Sequence, residues 1–193
     1  MNTFRASDYA KLDLFGVTDG IFCQQCNCKG AYGAGLSGAI SKCFPEVELA
    51  FRRNYQDNRG KQFGTYEVIQ CTTTLFVANI YSQDTYGRSG THTDISALAS
   101  AVIAIAENNP DMTVYLPHHY DVKKGIHGGI GAGLGGGNWR DIENTIQCMA
   151  SEKGIKNIAL WDSIERRLDR IIEPHSQKEA DKSISKQKDI FER

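Results

Sequence analysis

Two glycine-rich segments are the parts of this sequence whose residue types and spacing could do chemistry. The first is GAYGAGLSGA at 30–39, and the second is GGIGAGLGGGNW at 128–139. Each contains a GxGxxG pattern, with its glycines at Gly33, Gly35 and Gly38, and at Gly131, Gly133 and Gly136. Glycine lets several backbone N–H groups approach one anion with no Cβ in the way, and a following helix N-terminus adds further free N–H groups. Two such loops predict a site for a diphosphate.

Other interpretations of the loops fit less well. An ordinary tight turn would explain the first loop, and a flexible linker the second, although Ile130 and Leu134 interrupt the second loop as apolar anchors. A dinucleotide site of the Rossmann type needs an acidic residue about 20 positions beyond its loop, at a strand end. Asp162 could serve, but the second loop does not directly follow its strand. No GxxxxGK[ST] motif is present, so a P-loop is excluded.

The elements that must position these loops alternate between strand and helix. The pattern predicts strands at 9–15, 20–27, 112–116 and 157–161, and two strands joined by a tight turn within 66–80. Helices are predicted at 35–43, 46–55, 93–108 and 139–153, with Pro117 closing the strand before it. This order predicts an α/β fold with three layers, α/β/α, around a mixed, largely parallel central sheet.

Composition limits the class of protein and its partners. A chain of 193 residues suggests one domain with a short appendage, and a net charge of −1 gives no electrostatic case for nucleic acid. No secretory signal and no apolar run of about 20 residues is present, so we expect a cytoplasmic protein with no membrane partner. Residues 163–193 are polar and predict a helical extension, which is either a solvated tail or a homo-oligomer contact through Ile164, Leu168, Ile171 and Ile172.

Three of the six cysteines crowd into the run CQQCNC, which raises the question of a metal. A zinc site usually needs four ligands, and no second cluster accompanies Cys23, Cys26 and Cys28. In a strand, Cys26 and Cys28 would lie on one face and Cys23 on the other, as reduced core thiols. We therefore expect no metal and no cofactor.

The two loops, their order and their spacing resemble the macro domain family. The resemblance rests on LDLF near the N-terminus, CNCKGAYGAGLSGAI after it and IGAGLGGGNW a hundred residues later. It extends over roughly 9–162, and is greatest to the branch of ADP-ribose 1''-phosphate phosphatases and related phage and bacterial proteins. The resemblance implies a macro domain at 1–162 whose small-molecule ligand is ADP-ribose or a derivative.

The resemblance also implies roles for individual residues. Asp13, with Leu14 beside it, would accept a hydrogen bond from the adenine amino group, Asn27 would contact the distal ribose, and Trp161 would lie near the adenine. Ser82 and Gln83 end a predicted central strand, where ligand-facing positions of an α/β sheet lie. The predicted ligand-binding residues are Asp13, Leu14, Asn27, Gly30, Gly33, Ala34, Gly35, Leu36, Ser82, Gln83, Gly131, Ala132, Gly133, Leu134, Gly135 and Trp161.

Two departures from the family pattern bear on chemistry. The histidine of the phosphatase branch is Gln24 here, and the aspartate of the deglycosylase branch is Gly135. The candidate catalytic residues are therefore Asn27, Gln24 and His127, the last within a 118–129 insertion that is otherwise a solvated loop. The resemblance implies a hydrolase that removes a group, such as a 1''-phosphate, from the distal ribose. The alternatives are a non-catalytic module that binds ADP-ribose or a related adenine-nucleotide signal, and an ADP-ribosyl-linkage hydrolase.

Overall fold

A computed structural model describes residues 16–87, 89–121, 126–162 and 167–172. The predicted strand at 9–15, which carries Asp13 and Leu14, lies outside this part of the chain. The elements within it are β1 (Gly20–Asn27), α1 (Gly35–Cys43), α2 (Pro45–Asn58), β2 (Tyr66–Gln70), β3 (Leu75–Gln83), α3 (Ile95–Asn108), β4 (Val114–Asp121), β5 (Ile126–Gly129), α4 (Trp139–Lys153), β6 (Ile158–Asp162) and β7 (Arg167–Ile171).

The strands form one mixed sheet in the order β2-β3-β1-β4-β6-β7, and β5 pairs with β4. The pairs β1–β3, β1–β4 and β4–β6 are parallel, whereas β2, β5 and β7 run antiparallel to their neighbours. The chain passes from β1 to β3 on one side and then crosses to β4 on the other. The fold is therefore the predicted α/β class with a mixed, largely parallel sheet.

Both faces of the sheet are covered by helices. Ile21 and Cys23 of β1 join the larger core cluster with α3 and α4, whereas Phe22 packs with residues of α1 and α2 on the opposite face. Because strand side chains alternate between the two faces of a sheet, β1 contributes buried residues to the core on each face. Cys26 and Cys28 pack with Phe51 in a third buried cluster, on the other side from Cys23, as the alternation predicts. The thiols are free.

The helix boundaries follow local sequence signals. The Asp94 carboxylate accepts a hydrogen bond from the Ala97 N–H at the start of α3, and Gly154 ends α4 in the left-handed region at φ +67°. Pro45 opens α2, where its missing N–H costs no helical hydrogen bond. None of the helices in the described residues is long and apolar enough to cross a membrane.

The prediction that Pro117 closes its strand is wrong. β4 continues through Pro117 to Asp121 and turns back as β5, so residues 118–121 and 126–129 form an antiparallel pair rather than a loop. β1 pairs with β4 only as far as Phe22 and Tyr115. Pro117 lies beyond this ladder, so the pairing with β1 needs no N–H from it, which makes proline tolerable there. His118 is buried, and its ring stacks on Trp139 at 6.0 Å between centroids.

The prediction of helix beyond residue 162 is wrong at Arg167–Ile171. This segment is β7, paired antiparallel with β6, and the following Ile172 is buried in the larger core cluster. Leu168 and Ile171 therefore lie in a strand that extends the sheet, and not in the predicted oligomer helix. Pairing decides this, because an added strand satisfies the backbone N–H and C=O groups at the edge that β6 presents. Ile164 and the residues from 173 onward lie outside the described part of the chain.

Candidate ligand-binding cleft

A cleft of about 460 Å³ opens at the carboxyl end of β1, where β1 and β4 diverge. The next parallel strand in the chain, β3, lies on one side of β1, and the one after it, β4, lies on the other. Ligands of open α/β sheets bind at such a switch point. The lining residues are Gln24, Gln25, Asn27, Ala31, Tyr32, Ala34, Gly35, Leu36, Ser37, Gln83, Tyr86, Gly87, Pro117, Gly129, Ile130, Gly131, Gly133, Leu134 and Gly135. Both glycine loops are therefore walls of one cavity.

The two loops face each other across this cleft. A Cβ on Gly35 of the first loop would lie 3.7 Å from Leu134 Cδ1 of the second. The backbone of each loop needs glycine, because Gly33 and Gly131 have φ values of +100° and +81°. The two glycine loops, about a hundred residues apart in sequence, thus lie on the same cleft.

The first loop presents an uncapped helix N-terminus to the cleft. Ala34 is the N-cap of α1 and supplies no side-chain hydrogen bond, whereas Asp94 and Asn138 cap α3 and α4 with their own side chains. The first-turn N–H groups of a helix have no partner within the helix and carry a partial positive charge. At α1 these groups remain available to an anion in the cleft.

The second loop is tightly folded yet leaves donors free. The Ala132, Gly136 and Gly137 N–H groups donate to loop carbonyls, the last to Gly131 O at 2.9 Å. Among the described residues, none accepts a hydrogen bond from the N–H of Gly133, Leu134 or Gly135. Successive free N–H groups are the donors from which anion-binding concavities are built.

A cluster of amide and hydroxyl side chains holds the second loop in place. Gln25 Oε1 accepts hydrogen bonds from Gln83 Nε2 at 2.9 Å and from Thr93 Oγ1 at 3.1 Å, and Gln25 Nε2 donates to Ser82 Oγ at 2.8 Å. The single hydroxyl proton of Thr93 is shared between Gln25 Oε1 and Gly131 O, which lies 2.7 Å from Thr93 Oγ1. The Thr93 N–H donates to Gly135 O at 3.1 Å. This cluster ties β1, the end of β3 and the start of α3 to the loop.

Asn27 shapes the turn that leads into the first loop. Its Oδ1 accepts from the Lys29 N–H at 3.0 Å and the Ala31 N–H at 3.2 Å, and its Nδ2 donates to Ala31 O at 2.6 Å. The amide that was predicted to contact the ligand is therefore already engaged in forming an Asx-type turn. This turn leads to Ala31 and Tyr32, which lie on the cleft wall.

Known proteins provide a comparison for this arrangement. No protein-family model matches the chain. It is 27% identical over 146 residues to an uncharacterised 17.5 kDa protein from the tk-vs intergenic region of Enterobacteria phage T4, over 72% of this chain and 84% of that protein. A macrodomain protein from Streptomyces coelicolor superimposes with a TM-score of 0.54 at 23% identity, over 76% of this chain and 90% of that one. The chain has a macrodomain fold. The fold expected from the resemblance is confirmed.

A second solved structure with the macrodomain fold contains a ligand. The Thermosipho africanus DarTG protein in complex with ADP-ribose superimposes with a TM-score of 0.58 at 16% identity. The match extends over 80% of this chain and 41% of that larger protein. At such low identities these superpositions establish the fold.

The macrodomain cleft receives some predicted residues and not others. Asn27, Ala34, Gly35, Leu36, Gln83, Gly131, Gly133, Leu134 and Gly135 line it, as does the catalytic candidate Gln24. Gly33 and Ala132 lie within the two loops but not on the cleft surface, and Gly30 packs against Tyr55. Ser82 is fully buried behind Gln25, and Trp161 packs in the core cluster with Val17 and Phe22. His127 belongs to β5, two residues before the cleft wall at Gly129.

The macrodomain cleft has no charged side chain among the described residues that line it. Burial raises the pKa of the neighbouring Cys28 thiol to about 11, with Asp84 adding to the shift and Lys29 opposing it. The thiol is therefore protonated at neutral pH and is not a nucleophile. Within the part of the chain that the structure describes, the donors available to an anion here are therefore neutral.

Sequence analysis missed several residues that build this cleft, among them three with aromatic or hydroxyl side chains. Tyr32 and Tyr86 line it, and Thr93 anchors its second loop. Tyr32 lies between glycines of the first loop, and this position could have indicated that its side chain lines the cleft. Thr93 gave no signal, because its role depends on a contact with a loop 38 residues away in sequence.

Proposed function

We propose that this cleft binds ADP-ribose or a close derivative, with the diphosphate held between the two glycine loops. The supporting observation is that the uncapped N-terminus of α1 lines the same cavity as Gly133, Leu134 and Gly135, whose N–H groups have no acceptor among the described residues. Such donors suit a diphosphate, because they approach it closely and add the positive end of a helix dipole. The ADP-ribose complex of the structurally similar DarTG protein supports the same ligand.

Calorimetry and thermal unfolding with a ligand series test this function. We expect ADP-ribose and ADP to bind and to raise the melting temperature, since a ligand at 100 times its Kd adds about 2.7 kcal/mol of stability. AMP is the matched control: it retains the adenosine but has a single phosphate, so it should bind at least tenfold more weakly than ADP. Equal binding of AMP and ADP, or no binding of ADP-ribose, would contradict the proposal.

Hydrolysis at the distal ribose is a second candidate function. It is favoured by the position of the β4–β5 pair, because Pro117 and Gly129 line the cleft and His127 lies on the same hairpin. No carboxylate or imidazole occurs among the described lining residues, so an acid or base would come from this hairpin or from the substrate's own phosphate. A binding module without turnover is the alternative.

An assay of phosphate release from ADP-ribose 1''-phosphate separates these functions. If His127 is the acid or base, His127→Ala should lower kcat by roughly 10²- to 10⁴-fold and leave ADP-ribose affinity unchanged. His92→Ala is the matched control, because His92 lies on the loop before α3 and its ring bonds only to Thr85 and Ser89 among the described residues. Wild-type protein that binds ADP-ribose tightly but releases no phosphate would leave the binding module as its function.

A further inference from the structure

Tyr32 links the cleft to a buried network of polar side chains. Its ring packs against Phe51 at 4.9 Å between centroids, and its hydroxyl oxygen accepts a hydrogen bond from Gln24 Nε2 at 2.8 Å. Tyr32 is half-buried and lines the cleft, whereas Gln24 is almost fully buried behind it. The residue lies in the first glycine loop, immediately before Gly33.

The direction of each hydrogen bond in this network is fixed by Asn79. The Nδ2 of Asn79 donates to Glu67 Oε1 at 2.9 Å and to Val47 O at 3.3 Å. A carboxylate and a carbonyl only accept, so the Asn79 amide cannot be turned round. Its Oδ1 must therefore face Gln24, whose Nε2 lies 2.6 Å away.

The orientation of Gln24 then determines that of Tyr32. Because Asn79 Oδ1 can only accept, Gln24 must present its NH₂ group, and the two N–H bonds of this group point to Asn79 and to Tyr32. The Tyr32 oxygen is thus the acceptor, and its own proton has no acceptor among the described residues. Burial raises the pKa of Tyr32, so the hydroxyl keeps this proton throughout the neutral and mildly alkaline range.

The neutrality of the cleft indicates what this donor binds. No charged side chain occurs among the described lining residues, so within this part of the chain a phosphate obtains hydrogen bonds from neutral groups. We propose that the Tyr32 hydroxyl donates a hydrogen bond to a phosphate oxygen of the ligand, and that Gln24, Asn79 and Glu67 are positioning residues that fix its direction. This inference rests on the proposed ADP-ribose function and adds a side-chain donor to the backbone donors of the loops.

Tyr32→Phe removes the hydroxyl alone and tests the donor. We expect a roughly 10- to 100-fold loss of affinity, because the lost hydrogen bond is one to a charged phosphate. Calorimetry with ADP, ADP-ribose and ADP-ribose 1''-phosphate locates the phosphate: an equal loss for all three ligands assigns the diphosphate, and a loss confined to the third assigns the terminal phosphate. Tyr66→Phe is the control, because its hydroxyl bonds to Asn108 at the surface.

The results distinguish this inference from the function on which it rests. If wild-type protein binds none of the three ligands, both fail. If wild-type protein binds them and Tyr32→Phe binds all three equally well, the donor role is overturned and the ADP-ribose function stands. A melting curve without ligand shows whether each variant is folded.

The positioning role is tested at Glu67, which does not line the cleft. Glu67→Leu should weaken binding roughly two- to tenfold, since it releases the Asn79 amide. Glu67→Gln should retain most of the affinity, because an amide oxygen can still accept from Asn79. In the Tyr32→Phe background, neither substitution at Glu67 should change the affinity, because the hydroxyl that Glu67 orients is absent. An equal loss from Glu67→Leu in both backgrounds would show a merely structural role and overturn the positioning inference.

Discussion

Gly135→Ala is expected to destabilise the protein and to abolish ligand binding. A Cβ at this position would lie 2.3 Å from Thr93 Oγ1, 2.5 Å from Gln83 Nε2 and 2.6 Å from Gln25 Oε1. These three side chains bond to one another and to the second loop, so none can move without breaking a partly buried hydrogen bond. Overpacking of this kind costs about 1–3 kcal/mol. The displaced loop should also lose its free N–H groups as a diphosphate site.

Gly133→Ala is the matched control for Gly135→Ala. It makes the same substitution two residues earlier, where a Cβ would meet no atom within 4 Å. We expect its unfolding free energy, measured by urea titration, to equal or exceed that of the wild type by a few tenths of a kcal/mol. Gly135→Ala and Gly133→Ala of equal stability would show that the polar cluster can adapt and would refute the argument.

The same geometry explains why this chain has glycine at 135, where the deglycosylase branch has an aspartate. The deglycosylase branch places an aspartate where this chain has Gly135, but here the Gln25, Gln83 and Thr93 side chains occupy that space. Gly135→Asp should therefore destabilise the second loop instead of creating a catalytic group. Installing the carboxylate would require smaller residues at 25 and 83 as well.

Gly38→Ala is expected to disrupt the first loop, although it improves helix propensity. Gly38 lies in α1, where alanine is normally favoured over glycine by about 1 kcal/mol. A Cβ there would, however, lie 2.4 Å from Gly33 O and 2.9 Å from Gly33 C, and this backbone cannot move without shifting the loop. We expect a net loss of about 1–2 kcal/mol in unfolding free energy. Affinity for ADP-ribose should fall at least tenfold as the N–H groups of the loop lose their alignment.

Ser41→Ala controls for the change in helix propensity. Ser41 lies in the same helix, and its hydroxyl donates to Gly38 O at 3.3 Å, a hydrogen bond within the helix. Its stability should stay within about 0.5 kcal/mol of the wild type, and its affinity for ADP-ribose should be unchanged. Gly38→Ala protein that binds ADP-ribose as tightly as Ser41→Ala protein would show that the loop tolerates the Cβ.

The order of elements could be predicted because it depends on local patterns. The strand Gly20–Asn27 and the helices Gly35–Cys43 and Trp139–Lys153 have the predicted bounds, since apolar periodicity and glycine boundaries fix them. The errors at Pro117 and at Arg167–Ile171 share one cause. Each segment is a strand because of the partner it pairs with, β5 or β6, and that partner is not visible in the segment's own residues.

The sequence by itself determined that two Cβ-free loops, each before a helix, would suit a diphosphate. Glycine's freedom at positive φ and its lack of a side chain are properties of the residue, so they can be read without coordinates. Only the tertiary structure decided which side chains serve those loops. The contacts of Thr93 with Gly131 and of Gln24 with Asn79 join residues 38 and 55 positions apart, and side-chain type alone does not select such partners. Packing of β1 between β3 and β4 brings them together at the cleft.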